Sequence, residues 1–130
     1  MLEKIIELTN EYIESMPKKE RKKYGQFFTS METARFMSGL YNIDEQKSKV
    51  SVLDAGAGSG ILSCAFIERL EMIDSIQKIE LTCYENDNNV LPLLKQNLDY
   101  CKEKSGKKID INIIEDNYIL SQYLDFNHMI

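Results

Sequence analysis

The run Val50-Ser51-Val52-Leu53-Asp54-Ala55-Gly56-Ala57-Gly58-Ser59-Gly60-Ile61-Leu62 decides how this chain folds. Its β-branched start predicts a strand, its alternating glycines a tight turn, and the apolar pattern that follows a helix. Glycines at 56, 58 and 60 remove the Cβ atoms that would otherwise stand between the main chain and a ligand. A helix opening near Ser59 would offer N–H groups and the positive end of its dipole to polar ligand atoms. Spacing then excludes two common ligand loops. A dinucleotide fingerprint, G-x-G-x-x-G, needs a last glycine at 61 or 63, where the chain has Ile61 and Ser63. A triphosphate loop, G-x-x-x-x-G-K-[ST], needs a lysine, and none occurs between Val50 and Glu71.

Working outward, Lys78-Ile79-Glu80-Leu81-Thr82-Cys83-Tyr84-Glu85 reads as a second strand, with Ile79, Leu81 and Cys83 on one face. Glu85 closes it 25 residues after Gly60. In doubly wound sheets a carboxylate at that place accepts the ribose hydroxyls of a bound nucleoside. A third alternating strand, Lys108–Ile114, ends in Glu115-Asp116. Helices are expected between the strands, one to about Ile73 and one from about Asn88 to Lys102, with Pro92 tolerated in the first turn of the latter. Strand, helix, strand, helix, strand implies right-handed crossovers, a parallel sheet, and a ligand at the carboxyl ends of the strands. Those ends carry Asp54, Glu85 and Asp116, the set an adenosine-bearing ligand would use. Asp116 would accept from the adenine amino group.

The N-terminal part is helical. Leu2, Ile5, Ile6, Ile13 and Met16 recur at helical spacing over residues 2–16, and Pro17 ends that helix. Lys18-Lys19-Glu20-Arg21-Lys22-Lys23 follows, holding five of the sixteen basic residues. We read it as a solvated linker between helices that could also neutralise phosphates. Thr29 and Glu32 have capping-box spacing, so another helix should run from near Ser30 to about Tyr41, with a polar loop over 42–49. Residues 1–45 thus form a helical segment and 46–130 the strand-bearing unit.

Composition narrows the chemistry. At 130 residues there is room for one domain, and a net charge of −5 argues against a wholly nucleic-acid-binding surface. No apolar run approaches the ~20 residues of a membrane span, and Met1-Leu2-Glu3-Lys4 lacks a signal peptide's pattern, so a cytoplasmic location is expected. Cys64, Cys83 and Cys101 lack C-x-x-C spacing and read as buried, reduced thiols. His128 is the only histidine, so neither a histidine-based catalytic pair nor a zinc site is expected.

The motif Asp54-x-Gly56-x-Gly58-x-Gly60 resembles the first motif of the S-adenosylmethionine-dependent methyltransferases. Gly25-Gln26-Phe27-Phe28-Thr29 ahead of it is similar to the Gly-x-Phe-[Phe/Tyr]-Thr-Pro segment of gamma-class, N6-adenine-specific DNA methyltransferases of restriction–modification systems. The resemblance spans roughly residues 18–130. It implies a partial Rossmann-like methyltransferase fold, a parallel sheet with flanking helices and an N-terminal helical extension. The implied cofactor is S-adenosyl-L-methionine, with Phe28 and Thr29 at its methionine end. Asp54, Ala55 and Gly56 would line its amino-acid moiety, Gly58 and Gly60 would complete the loop, Glu85 would take the ribose, and Asn86 and Asp116 would lie beside the adenine.

Three departures from that pattern matter. Ser30 stands where the family has proline, at the expected first helical position. Asn86 stands where the family places an apolar residue against the adenine ring, leaving Tyr118 or Leu91 for that contact. The catalytic Asn-Pro-Pro-[Tyr/Phe] is absent, since the only prolines are Pro17 and Pro92. Leu124–Ile130 reads as the opening of the fourth strand, so Asn127 is not assigned as the catalytic asparagine. The expectation is therefore a truncated cofactor-binding part of a longer enzyme, inactive alone. It would meet DNA through the parent enzyme and only weakly, if at all, through Lys18–Lys23. A sheet edge left open by missing strands would favour self-association. Methyltransferases of RNA, protein or small molecules share the glycine loop and Glu85, and a non-catalytic nucleotide-binding module also remains open.

Overall fold

A computed structural model describes residues 1–120 and 122, with Gln26 and Phe27 described by their backbone alone. The Leu124–Ile130 segment, with Asn127 and His128, lies outside the described residues. In chain order the elements are α1 (Leu2–Glu14), α2 (Lys18–Phe27), α3 (Met31–Gly39), β1 (Lys49–Asp54), α4 (Ile61–Glu71), β2 (Lys78–Tyr84), α5 (Leu91–Lys104) and β3 (Lys108–Ile114).

The strands form a parallel sheet in the order β1-β2-β3. Val50 pairs with Ile79 and Ile79 with Ile109, while Asp54 lies opposite Cys83 and Tyr84 opposite Ile114. This register levels the carboxyl ends and brings the loops after β1, β2 and β3 to one edge of the sheet. The order is one half of a doubly wound sheet, as a partial Rossmann-like fold requires. Among the described residues, the other side of β1 has no strand partner. Beside it lies a cavity of about 860 Å³ lined by β1, Tyr41, Ile43, Leu62 and Phe66.

Ile79, Leu81 and Cys83 are buried as their alternation requires. They share one apolar cluster with Ile61, Cys64, Ile67 and Leu70 of α4 and Leu91, Leu94, Leu98 and Cys101 of α5. Leu2 and Ile5 of α1 and Ala34 of α3 belong to the same cluster, so the N-terminal helices share a common core with the sheet, α4 and α5. Each fully buried leucine or isoleucine contributes about 1.5–3 kcal/mol relative to exposure. At the surface, Arg35 of α3 donates to Glu68 of α4 (2.9 Å) and to Glu3 of α1 (2.8 Å). Among the described residues no helix is long and apolar enough to cross a membrane.

Four boundaries differ from the sequence reading. Lys18–Lys23 is not a linker but the first part of α2. Pro17 ends α1 yet also starts α2, because its locked φ (−57°) suits the N-cap and its missing N–H is no loss there. Ser30, not Thr29, caps α3: its Oγ accepts from the Thr33 N–H at 3.2 Å. Ser30 is therefore the N-cap and not the first helical residue, a position at which serine is favoured. Helix α4 starts at Ile61 and not near Ser59, because Gly60 is held in the left-handed region (φ +85°). Helix α5 starts at Leu91 instead of Asn88, with Pro92 in its first turn.

Candidate functional site

The glycine loop is held by hydrogen bonds at both ends. Ala57 N–H donates to the Tyr84 carbonyl (3.0 Å) and Gly60 N–H to the Ala57 carbonyl (2.8 Å). Gly58 and Gly60 both have positive φ, +55° and +85°. Glu85 then closes the loop from the next strand: its Oε1 accepts the Gly58 N–H at 2.7 Å, and its Oε2 accepts those of Asn86 (3.1 Å) and Asp87 (3.0 Å). Charge-assisted bonds of this kind are about twice as strong as neutral ones. A carboxylate has about four acceptor positions, so three backbone donors leave roughly one vacant.

At the end of β1, the half-buried Asp54 accepts from Ser63 Oγ at 2.6 Å. Ser63 is 2 % exposed, so this bond fixes the carboxylate from the core side. Ala55 and Gly56 are exposed, and a Cβ placed on Gly56 would meet nothing within 4 Å. That open space is where a ligand could approach the main chain. Asn97 secures the loop from beneath. It is fully buried on α5 and its Nδ2 donates to the Ser59 carbonyl (2.8 Å) and to Thr9 Oγ1 of α1 (3.2 Å).

The segment between α2 and α3 covers the loop. A Cβ at Gly58 would lie 3.9 Å from Phe28 Cε1. Phe28 stacks on Tyr24, with centroids 6.1 Å apart, and Tyr24 Oη donates to Asp87 Oδ2 at 2.8 Å. That bond pushes the Tyr24 hydroxyl above its ordinary pKa. One network thus runs from Tyr24 through Asp87 and Glu85 to Gly58. Thr29 is half-buried in a groove it shares with Phe28, Ile6, Thr9 and Ile13.

Asp116 is exposed at the end of β3, where its N–H donates to the Ile114 carbonyl (2.9 Å) and its Oδ1 accepts from Asn117 N–H (2.7 Å). Asn86 is exposed as well, and Tyr118 packs edge-on against Tyr84, with centroids 5.1 Å apart. The arrangement therefore joins Phe28, Gly58 and Glu85 closely, whereas Gly60 is buried and faces Leu94 and Leu98 of α5. The same arrangement puts Asp54, Ala55 and Gly56 at the adjoining strand end and Asp116 at the third.

The cysteines are free and buried. Burial pushes the Cys83 thiol up to about 12, and a hydrogen bond with Cys101 together with burial raises Cys64 well above its usual value. Neutral, enclosed thiols of this kind do not act as nucleophiles. Sequence reading missed Tyr24, Ser63, Asp87 and Asn97. Tyr24 and Asp87 adjoin recognised segments, and their proximity in the chain was the available signal. Nothing local marks Ser63 or Asn97, whose partners lie on other elements.

A family profile described as N-6 DNA methylase matches residues 6–122. The chain belongs to the N-6 DNA methylase family. The match takes in most of α1 and continues past β3, so it includes the covering segment, the glycine loop and all three acidic strand ends. Among curated proteins the chain is similar to the Type II methyltransferase M.BsuBI of Bacillus subtilis, 36 % identical over 101 residues, 78 % of this chain and 19 % of that protein. It is also similar to the Type II methyltransferase M.PstI of Providencia stuartii, 33 % identical over 103 residues, 76 % of this chain and 20 % of that protein. The chain spans about a fifth of the length of these relatives. No solved structure matches it.

Proposed function

We propose that this N-6 DNA methylase chain is the S-adenosylmethionine-binding part of a DNA adenine-N6 methyltransferase of a restriction–modification system, acting in the cytoplasm. Residues 1–45 form the helical segment that covers the cofactor and 46–130 the first half of the methyltransferase domain. The observation that carries the reading is Glu85 facing the glycine loop, with its carboxylate 2.7 Å from Gly58 N–H. The residues present fit the cofactor: bare backbone at Gly56, a fixed carboxylate at Asp54 for an ammonium group, and an acceptor at Glu85 for a ribose diol. With three backbone donors on Glu85, a diol would use the roughly one acceptor position left vacant, and a second hydroxyl would have to displace a backbone donor.

When bound, the cofactor supplies an electrophilic methyl group on a sulfonium. Asp54, oriented by Ser63, would hold the amino-acid end. Glu85 would orient the ribose, Asp116 and Asn86 would flank the adenine, and Phe28 and Thr29 would shield the methionine end from water. Such positioning is a large part of catalysis in a direct transfer. No catalytic residue is assigned within the 130 residues, which contain no Asn-Pro-Pro sequence.

Calorimetry with S-adenosylmethionine tests the reading. The wild-type chain should bind, and Asp54→Ala and Glu85→Ala should each weaken binding at least tenfold while keeping a cooperative thermal transition. Saturating cofactor should also raise the melting temperature, since ligand at a hundred times Kd contributes about 2.7 kcal/mol. Neither heat nor a thermal shift with folded protein, or wild-type binding by both variants, would refute it.

A further inference from the structure

The basic run at the start of α2 is the largest concentration of one charge sign in the sequence, and the cofactor reading leaves it unused. Lys18, Lys19, Arg21, Lys22 and Lys23 against Glu20 give these six residues a charge of +4 in a chain of net charge −5, so the remainder carries −9. All six are exposed. At about 100° per residue, the five cations occupy one arc centred on Lys22. Tyr24, 5 % exposed, marks the opposite, inward side. Among the described residues, Lys18, Lys19, Arg21 and Lys22 have no ion-pair partner, and Lys23 lies 5.4 Å from the centre of the Tyr24 ring.

The placement is electrostatically unfavourable for the free protein. Lys18 and Lys22, and Lys19 and Lys23, are like-charged neighbours one turn apart. The whole group also sits in the N-terminal part of a helix, where the dipole repels cations. A polyanion removes both penalties. The same helix is anchored to the candidate site through Tyr24 and Asp87, and its C-terminal end leads into Phe28 against Gly58. Its basic face thus lies on the helix that leads into the segment covering the cofactor loop.

We propose that α2 is a docking element for duplex DNA, whose phosphates engage Lys18, Lys19, Arg21, Lys22 and Lys23 and bring the duplex to the covered side of the cofactor loop. The proposal rests on the reading of the chain as part of a DNA methyltransferase, which supplies the duplex as the occupant. Phosphate contacts carry no sequence information, so α2 contributes affinity and register, not site choice.

The test is fluorescence anisotropy of a labelled DNA duplex with the full chain across a salt series. Five phosphate contacts predict a slope of log K against log [salt] of about −4.5, or a fall of about 500-fold between 50 and 200 mM salt. Lys19→Gln/Lys22→Gln, and separately Lys18→Gln/Arg21→Gln, should each reduce the slope magnitude by about 1.8. Glutamine is a good helix former, so α2 should persist. Lys102→Gln/Lys104→Gln removes two charges elsewhere and should leave the slope unchanged. No DNA binding, equal effects of control and α2 variants, or equal affinity for anionic vesicles or single-stranded RNA would overturn the proposal. Parallel calorimetry separates it from the cofactor reading: the α2 variants should bind S-adenosylmethionine as wild type does. Loss of DNA binding without cofactor binding anywhere would instead count against the cofactor reading.

Discussion

Replacing Gly60 with alanine should destabilise the fold by about 2–5 kcal/mol, whereas the same change at Gly56 should leave stability intact and damage ligand binding. Gly60 has φ +85°, and an L-residue there costs about 1–2 kcal/mol. Its new Cβ would also stand 2.9 Å from Leu94 Cδ1 and 3.4 Å from Leu98 Cδ2. Both leucines are fully buried, so neither tip can swing into solvent, and overpacking of this kind costs about 1–3 kcal/mol. Against a total stability of about 5–15 kcal/mol for a domain, the sum is severe. Gly56 has no positive φ and open space around its Cβ position, so alanine there should change stability by no more than about 1 kcal/mol, toward stabilisation. The added methyl would instead occupy the approach to the backbone and weaken S-adenosylmethionine binding about tenfold or more. Urea unfolding followed by circular dichroism gives the first quantity and calorimetry the second, with an unchanged m-value expected. A Gly60→Ala loss below 1 kcal/mol, or equal destabilisation at both positions, would refute the division between a packing glycine and a ligand glycine.

Ser63→Ala removes the 2.6 Å bond that orients Asp54, and cofactor affinity should fall about tenfold in keeping with a hydrogen bond to a charged group; unchanged affinity by calorimetry would remove Ser63 from the site. Tyr24→Phe should cost about 1–2 kcal/mol in urea unfolding at neutral pH through loss of the bond to Asp87. Because the folded Tyr24 pKa is raised, its contribution is complete below the unfolded value near 10 and is lost as pH rises through the folded one. The gap between wild type and Tyr24→Phe should therefore narrow above pH 10, and a gap constant with pH would contradict the assigned bond. The side of β1 without a strand partner among the described residues, with Leu53 53 % exposed, should give concentration-dependent association in sedimentation velocity that Leu53→Lys weakens; a monomer at all concentrations would exclude it.

Much of the fold was legible because strong local signals agreed with the global arrangement. The alternation of Ile79, Leu81 and Cys83, the glycine turn after Asp54, and the break at Pro17 each act within a few residues. The helix at Lys18–Lys23 was misread because charge was weighed as a mark of a solvated linker, while Pro17 and a run of good helix formers favoured α2. The cap of α3 was displaced by one residue because Thr29 and Ser30 are both capable caps, and only backbone geometry distinguishes them.

By itself the sequence determined that a strand, a bare glycine loop and a helix meet at Asp54–Leu62, and that acidic residues close the next two strands. Those are consequences of backbone freedom and side-chain period, which neighbouring residues set. Tertiary structure alone decided that Glu85 reaches back to Gly58, that Ser63 orients Asp54, that Asn97 supports Ser59 from α5, and that Tyr24 ties the N-terminal helices to Asp87. Each of those contacts joins residues 9 to 63 positions apart. Their partners are chosen by how helices and strands pack around the shared core, and no local pattern encodes that choice.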